Sequence, residues 1–279
     1  MIRSWLLVPG ADEKAHAAAA RSGADAIVLE LEDFTPPALR PRARSLAATV
    51  LDRWRAAGAA AGVRINPLET CGQEDLAGVL AGRPQFILMS KVESPEQVKA
   101  LEAATGGAVD LVPNVETARG LMRTYDIARA SPRVIALLVA SEDMVADLGT
   151  ARSRGGEELA YVRARFLLEC RAAGVEAIDC PYTFSDVQGA AADARSARRL
   201  GYRMKCVVDA SHAKAVNRAL TPDVAHARRV VAAFERARKL GKDRAKLDGL
   251  LIEMPIYAAA LRLIESAARM PAPPRRKPG

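Results

Sequence analysis

Between residues 4 and 211, eight short apolar runs recur along the chain: SWLLVPG, AIVLELE, GVRINP, FILMSK, VDLVPNVE, VIALLVAS, EAIDCPY and MKCVVDAS. Each is followed by a longer segment that can form a helix, commonly rich in Ala and Arg. A strand that is apolar at successive positions has both faces covered, the condition of a parallel sheet wrapped by crossover helices. Eight strand-helix units predict an α/β fold, a closed (β/α)8 TIM barrel. The rival, a doubly wound open sheet, usually places a Gly-rich nucleotide loop after its first strand, and VPGADEK contains no GxGxxG.

After the eighth run the pattern changes. Residues 222 to 269 read as helices only, through PDVAHARRVVAAFERARKLG and PIYAAALRLIESAARM. The expected organisation is a catalytic barrel over residues 1–220, a C-terminal helical extension over 221–270 serving as lid or oligomer contact, and a disordered tail over 271–279.

Composition excludes several classes of function. The net charge of +8 owes three charges to Arg275, Arg276 and Lys277 of the tail, so the rest is only mildly basic. Its basic residues are scattered along helices rather than interleaved with aromatics, which argues against a nucleic-acid platform. No apolar run approaches membrane-spanning length, and the N-terminus lacks the form of a signal peptide. Cys71, Cys170, Cys180 and Cys206 form no CxxC pair and have no His at metal-ligand spacing. The expectation is a cytoplasmic protein with reduced thiols.

In a barrel of this kind, chemistry sits at the C-terminal ends of the strands. That filter selects Glu32 and Asp33 after the second run, Arg64 and Asn66 in the third, Lys91 and Glu93 at the fourth, Glu116 at the fifth, Glu142 and Asp143 after the sixth, and Asp179 in the seventh. Carboxylates without His or Cys partners make a hard oxygen site that suits Mg2+ better than Zn2+, and Glu116 with Asp143 form the natural pair. Each also has a structural reading, Glu116 as a helix-start carboxylate and Asp143 as part of a first helical turn. Arg64 either meets a buried acid, Glu32 or Asp33, or offers its fork of donors to a ligand carboxylate or enolate oxygen. Lys91 reads as ion-paired rather than as a Schiff-base nucleophile, because an acidic mouth keeps it protonated. His16 and His226 are expected on solvated helix faces, and His212 at a surface or helix start.

The stretches RSWLLVPG, GADAIVLELED, VRINPLET, SKVESPEQV, NVETARGL, ASEDMVADLG and IDCPYTFSD resemble, in register over roughly residues 2 to 220, the citrate lyase β-subunit-like proteins of the HpcH/HpaI aldolase superfamily. The resemblance implies a Mg2+-dependent carbon-carbon lyase acting on a short 3-hydroxyacyl-CoA such as malyl-CoA or citramalyl-CoA, with acetyl-CoA and a 2-oxo acid as products. The alternatives are a citrate lyase β subunit working on an acyl-carrier partner, and a non-catalytic barrel. It further implies that Glu116 and Asp143 bind Mg2+ and that Arg64 binds substrate and stabilises the enolate. Asn66 joins Arg64 and Glu116 in the substrate-binding set, while Glu32 and Asp33 support the metal through waters or orient Arg64. Barrels of this superfamily often form trimers or hexamers, and an acid/base group can come from a neighbour's C-terminal segment, which makes Glu253 a candidate. The chain departs from the family pattern at VVDAS, where Asp209 replaces the His of IHP, at MSK for LPK, and at LELED, where Glu30 replaces Asp.

Overall fold

The computed structural model describes residues 2–268. All eight runs are strands: β1 (Ser4–Pro9), β2 (Ala26–Glu30), β3 (Ala60–Ile65), β4 (Phe86–Met89), β5 (Asp110–Val115), β6 (Ala136–Val139), β7 (Glu176–Asp179) and β8 (Met204–Val207). They pair in parallel in chain order, and β8 closes on β1. The described chain divides into two compact units, Ile2–Leu220 and the segment from Thr221 onward.

Side-chain parity along the strands explains why the runs are nearly continuous in apolar residues. Trp5, Leu7, Val28, Phe86, Leu88, Val112, Leu138, Ile178 and Cys206 pack together as one buried cluster, the barrel filling. Their neighbours, such as Leu6, Ile27, Leu29, Val63 and Ile87, belong to a second cluster with helix residues that include Trp54 and Phe166. A packed barrel interior needs large and small residues at facing positions. Gly62 on β3 is the small one here: a Cβ at that position would lie 2.2 Å from the Phe86 ring, which itself packs 4.7 Å from Trp5.

Parity also corrects the placement of Asp179. With Ile178 turned inward, Asp179 and Lys205 turn outward, away from the mouth. Asp179 is gripped by the Arg163 guanidinium at 2.8 and 2.7 Å and by Lys205 Nζ at 2.6 Å, and Asp193 completes the cluster with Arg163 at 2.9 Å. Two cations meet two anions, a balance that a buried ionic cluster requires. Two histidines are corrected as well. His16 is fully buried, with Nε2 2.9 Å from the Pro9 carbonyl and its ring edge-on to Trp54. His212 does stand at a helix start, directly before the helix Ala213–Leu220, but it is buried and not at the surface, with Nε2 3.1 Å from the Ser185 carbonyl. Both sit against backbone oxygens, and helix periodicity misplaces His16 in solvent.

The segment from Thr221 onward is not helical throughout. A helix at Val224–Lys239 is followed by an antiparallel hairpin, β9 (Ala245–Leu247) and β10 (Leu250–Ile252), and then by a helix at Met254–Ala268. The hairpin turns at Asp248 and Gly249, with φ of 51° and 81°. Asp-Gly is the pair that a two-residue turn with positive φ at both centres demands, and here it overrides the helical expectation. This unit has its own core of Val230, Phe234, Ile252 and Ala260, and Tyr257 stacks on Phe234 at 4.7 Å. The expected disordered tail lies outside the described residues.

Candidate active site

The inward parity that fills the barrel below continues upward as polar residues. On β3 the inward positions run from Gly62 to Arg64, on β2 from Val28 to Glu30, and on β5 from Val112 through Asn114 to Glu116. Strand register sets Glu30 opposite Arg64. The Arg64 guanidinium lies 2.9 Å from Glu30 through one terminal nitrogen, 3.1 Å from Glu32 through the same nitrogen, and 3.8 Å from Glu116 through the other. Burial opposes its charge, but the carboxylates of Glu30, Glu32 and Glu116 outweigh that and hold it firmly protonated. Phe34 covers it from above, 5.4 Å from ring centre to guanidinium carbon, a cation–π contact.

Lys91 follows β4 with φ of 55°, in the left-handed region that costs an L residue about 1 kcal/mol. Its ammonium lies 2.6 Å from Glu32 and 3.8 Å from Asp33. The hydrogen bond to Glu32 raises its pKa, so it is an ion-paired cation and not a free amine. Glu32 thus bridges Arg64 and Lys91; burial would raise its pKa, and the two cations overcome burial and lower it. Asp33 is half exposed and is shifted upward by burial and by the neighbouring charge of Glu32.

Glu116 is 1 % exposed, and the following helix is capped by Thr117, not by Glu116. One of its oxygens accepts from the Asn114 amide. The other is buried without a hydrogen-bond partner. Burial pushes this carboxyl up to about 8, with Arg64 acting against burial and the charges of Glu32 and Asp143 adding to it. Asp143 lies in the first turn of the helix Glu142–Asp147 and lines the same cavity as Glu116 and Lys91. A second cavity, of about 470 Å³, opens on the other side of Asp143 and reaches Arg64 and Asn114.

The structure therefore brings Arg64, Glu32, Asp33, Glu116 and Asp143 to one mouth. The Asn66 amide donates to the Leu31 carbonyl and to Asp75, both at 2.8 Å, so its donors secure loops beside the mouth. Asp209 is likewise committed, accepting from the Ser211 backbone at 2.8 Å as a cap. Glu30 and Asn114 are the members that residue-by-residue reading did not select. The signal for both is parity, since each lies two positions before a selected acid.

Five carboxylates, those of Glu30, Glu32, Asp33, Glu116 and Asp143, face two cations, Arg64 and Lys91. A divalent cation fits that imbalance and the unpartnered Glu116 oxygen. Among the described residues, no group of three or more His, Cys, Asp or Glu closes a metal cage. Two carboxylates completed by water and ligand oxygens are the arrangement Mg2+ tolerates, because it keeps much of its hydration.

An eight-stranded parallel barrel with this acid-rich, arginine-centred mouth defines the class as a (β/α)8 barrel with a hard-oxygen site at its strand ends. A family model described as HpcH/HpaI aldolase/citrate lyase matches residues 3–210, and the chain belongs to that family. It is 28% identical over 280 residues to the citrate lyase subunit beta of Leuconostoc mesenteroides subsp. cremoris, covering 95% of this chain and 93% of that one. It is 31% identical over 263 residues to a (3S)-malyl-CoA thioesterase of Cereibacter sphaeroides, covering 90% and 89%. Among solved structures, protein CitE from Mycobacterium tuberculosis in complex with magnesium, acetoacetate and coenzyme A is similar with a TM-score of 0.79 and 28% identity, over 96% of this chain and 98% of that one. Among the described residues, no helix is long and apolar enough to cross a membrane.

Proposed function

We propose that the chain is a Mg2+-dependent lyase that cleaves, or in reverse forms, a short 3-hydroxyacyl-CoA thioester of the malyl-CoA or citramalyl-CoA kind. The observation that carries this is the buried, unpartnered oxygen of Glu116 beside Asp143 and Arg64. Glu116 and Asp143 would hold the ion, which supplies Lewis-acid polarisation of the substrate's 2-hydroxy or 2-oxo acid end. In cleavage the 3-hydroxyl gives up its proton and becomes the carbonyl of a 2-oxo acid as the C2–C3 bond breaks. The electron pair passes to the thioester enolate, which takes a proton to give acetyl-CoA. Arg64 donates to the oxygen on which charge develops, and Glu30 and Glu32 hold its plane in place before the reaction begins. Lys91 keeps Glu32 ionised and fixed.

The test is calorimetric titration of Mg2+ into the wild type and Glu116→Gln, with and without pyruvate, followed by a free-CoA assay on malyl-CoA and citramalyl-CoA. Joint binding of ion and oxo acid that requires Glu116 supports the proposal; a wild type that binds neither sinks it. The second reading, a citrate lyase β subunit acting on a carrier-bound thioester, is favoured by the near-complete coverage of the citrate lyase relatives. Turnover only when an acyl-carrier protein bears the thioester would select it. We propose in addition a homo-oligomer, a trimer or hexamer, with contacts through the unit from Thr221 onward and Glu253 as its acid/base candidate. Leu240, Leu250 and Met254 on that unit are exposed apolar side chains, which supports a contact role. Truncation after Leu220 should leave a monomer of low activity, and an unchanged number of subunits per particle rejects this.

A further inference from the structure

The cavity of about 470 Å³ beside Asp143 differs in character from the rest of the mouth. Its floor and wall are Leu7, Leu138, Ala140, Cys206, Val208 and Phe34. Leu7, Leu138 and Cys206 are the top of the barrel filling, and burial pushes the Cys206 thiol up to about 12, so it stays neutral. Among the described residues lining this cavity the single cation is Arg64, against Asp33, Glu142 and Asp143. Arg64 gives Nε and one terminal nitrogen to Glu30 and Glu32, which leaves the other terminal nitrogen, 3.8 Å from Glu116, for one ligand carboxylate and none for a second. The other side-chain donors of this lining are committed too: the Asn114 amide to Glu116, and the Thr183 and Ser141 hydroxyls to Glu142 at 2.7 and 3.4 Å.

A 3-hydroxyacyl thioester of this kind carries on C3 a hydroxyl, a carboxylate and a variable group R, which becomes the side chain of the 2-oxo acid. The hydroxyl and carboxylate are the oxygens that Arg64 and an ion at Glu116 and Asp143 would take. R then faces the surface that remains. An alkyl R gains by covering Leu138, Cys206 and Val208. A carboxymethyl R brings a second negative charge to an apolar, acid-rimmed surface that has no free cation, a placement that costs far more than an unfilled contact.

We propose that this apolar cavity selects substrates whose R is a short alkyl group, so that the 2-oxo acid partner is an alkyl 2-oxo acid and not glyoxylate or a dicarboxylic oxo acid. The inference rests on the lyase reading above and narrows it. It is tested on the full chain saturated with Mg2+, by calorimetric titration with glyoxylate, pyruvate, 2-oxobutyrate and oxaloacetate. Affinity should rise about tenfold for each carbon added from glyoxylate to 2-oxobutyrate. Oxaloacetate should bind about a hundredfold more weakly than 2-oxobutyrate, as an unpaired buried charge requires.

Val208→Arg, at a half-buried rim position, supplies the missing cation and should reverse the order of oxaloacetate and 2-oxobutyrate. Oxaloacetate or glyoxylate binding as tightly as 2-oxobutyrate to the wild type overturns the inference and leaves the lyase reading in place. An unchanged order in Val208→Arg also counts against this cavity as the seat of R. Absence of Mg2+-dependent binding for all four acids defeats the lyase reading itself.

Discussion

Two buried ionic clusters of the barrel differ in a way that separates scaffold from site. Between the strands and their helices, Arg163 and Lys205 face Asp179 and Asp193, two charges against two, and among the described residues none of their side-chain atoms is left without a partner. At the mouth, Arg64 and Lys91 face five acids, and one oxygen of Glu116 is buried without a partner. A closed cluster has finished its electrostatic business within the fold. An acid-heavy one has capacity for an outside cation, and the protein bears the desolvation cost until that cation arrives.

The comparison can be broken most directly by exchanging one acid in each cluster. Glu116→Gln should abolish detectable Mg2+ binding and lower turnover by about a thousandfold or more, because a lost charged ligand removes several kcal/mol of transition-state stabilisation. Its melting temperature should hold or rise. Asp179→Asn should do the reverse, destabilising the fold by about 3–5 kcal/mol by leaving Lys205 and Arg163 with an unmatched charge. Denaturant unfolding reads that loss, and Mg2+ affinity of the folded fraction should stay within a factor of two or so of the wild type. Equal loss of Mg2+ binding in both variants would erase the distinction between the clusters.

Smaller effects sharpen it. Arg64→Lys keeps the charge and loses the fork, and should lower kcat by about a hundredfold with the oxo-acid affinity less affected. The pH dependence follows from Glu116. Its carboxyl is raised to about 8 in the fold, so between the ordinary carboxylate range and pH 8 the folded state holds a proton that the unfolded chain has released. That contribution is fully present below the unfolded pKa and is lost as pH rises through the folded one. Metal-free wild type should therefore lose stability relative to Glu116→Gln as pH climbs from 5 to 8, by about 1.4 kcal/mol per unit at most. Saturating Mg2+, by holding Glu116 ionised in the fold, should flatten the wild type's pH dependence over that range. A flat difference between the two proteins over that range rejects the assignment. Smallest of all, Gly249→Val should cost about 1–2 kcal/mol and only within the C-terminal unit, because the turn needs positive φ there.

Much of the site is legible along the chain because parallel barrels place strand ends at one mouth. Arg64, Glu32, Asp33, Glu116 and Asp143 are found by that rule alone. The same rule admits Asp179 wrongly, since it locates a residue along a strand and says nothing of which way it points. Glu30 was visible only as a departure from a family pattern, yet it makes the shortest contact to Arg64 within that trio of acids. In the C-terminal unit the Asp-Gly pair carries a hairpin signal that helical periodicity on either side obscures.

What the amino-acid order determined by itself is the barrel, because eight two-sided apolar runs can be buried only as parallel strands under helices, and with it the set of polar residues at strand ends. What only the tertiary structure decided is the grouping of those residues. Register and barrel closure bring Glu30, Arg64, Asn114 and Glu116 inward from different strands, and turn Asp179 and Lys205 outward to Arg163 and Asp193. The physical reason is that strand parity is local, whereas the pairing of charges depends on distances across strands that the linear order does not contain.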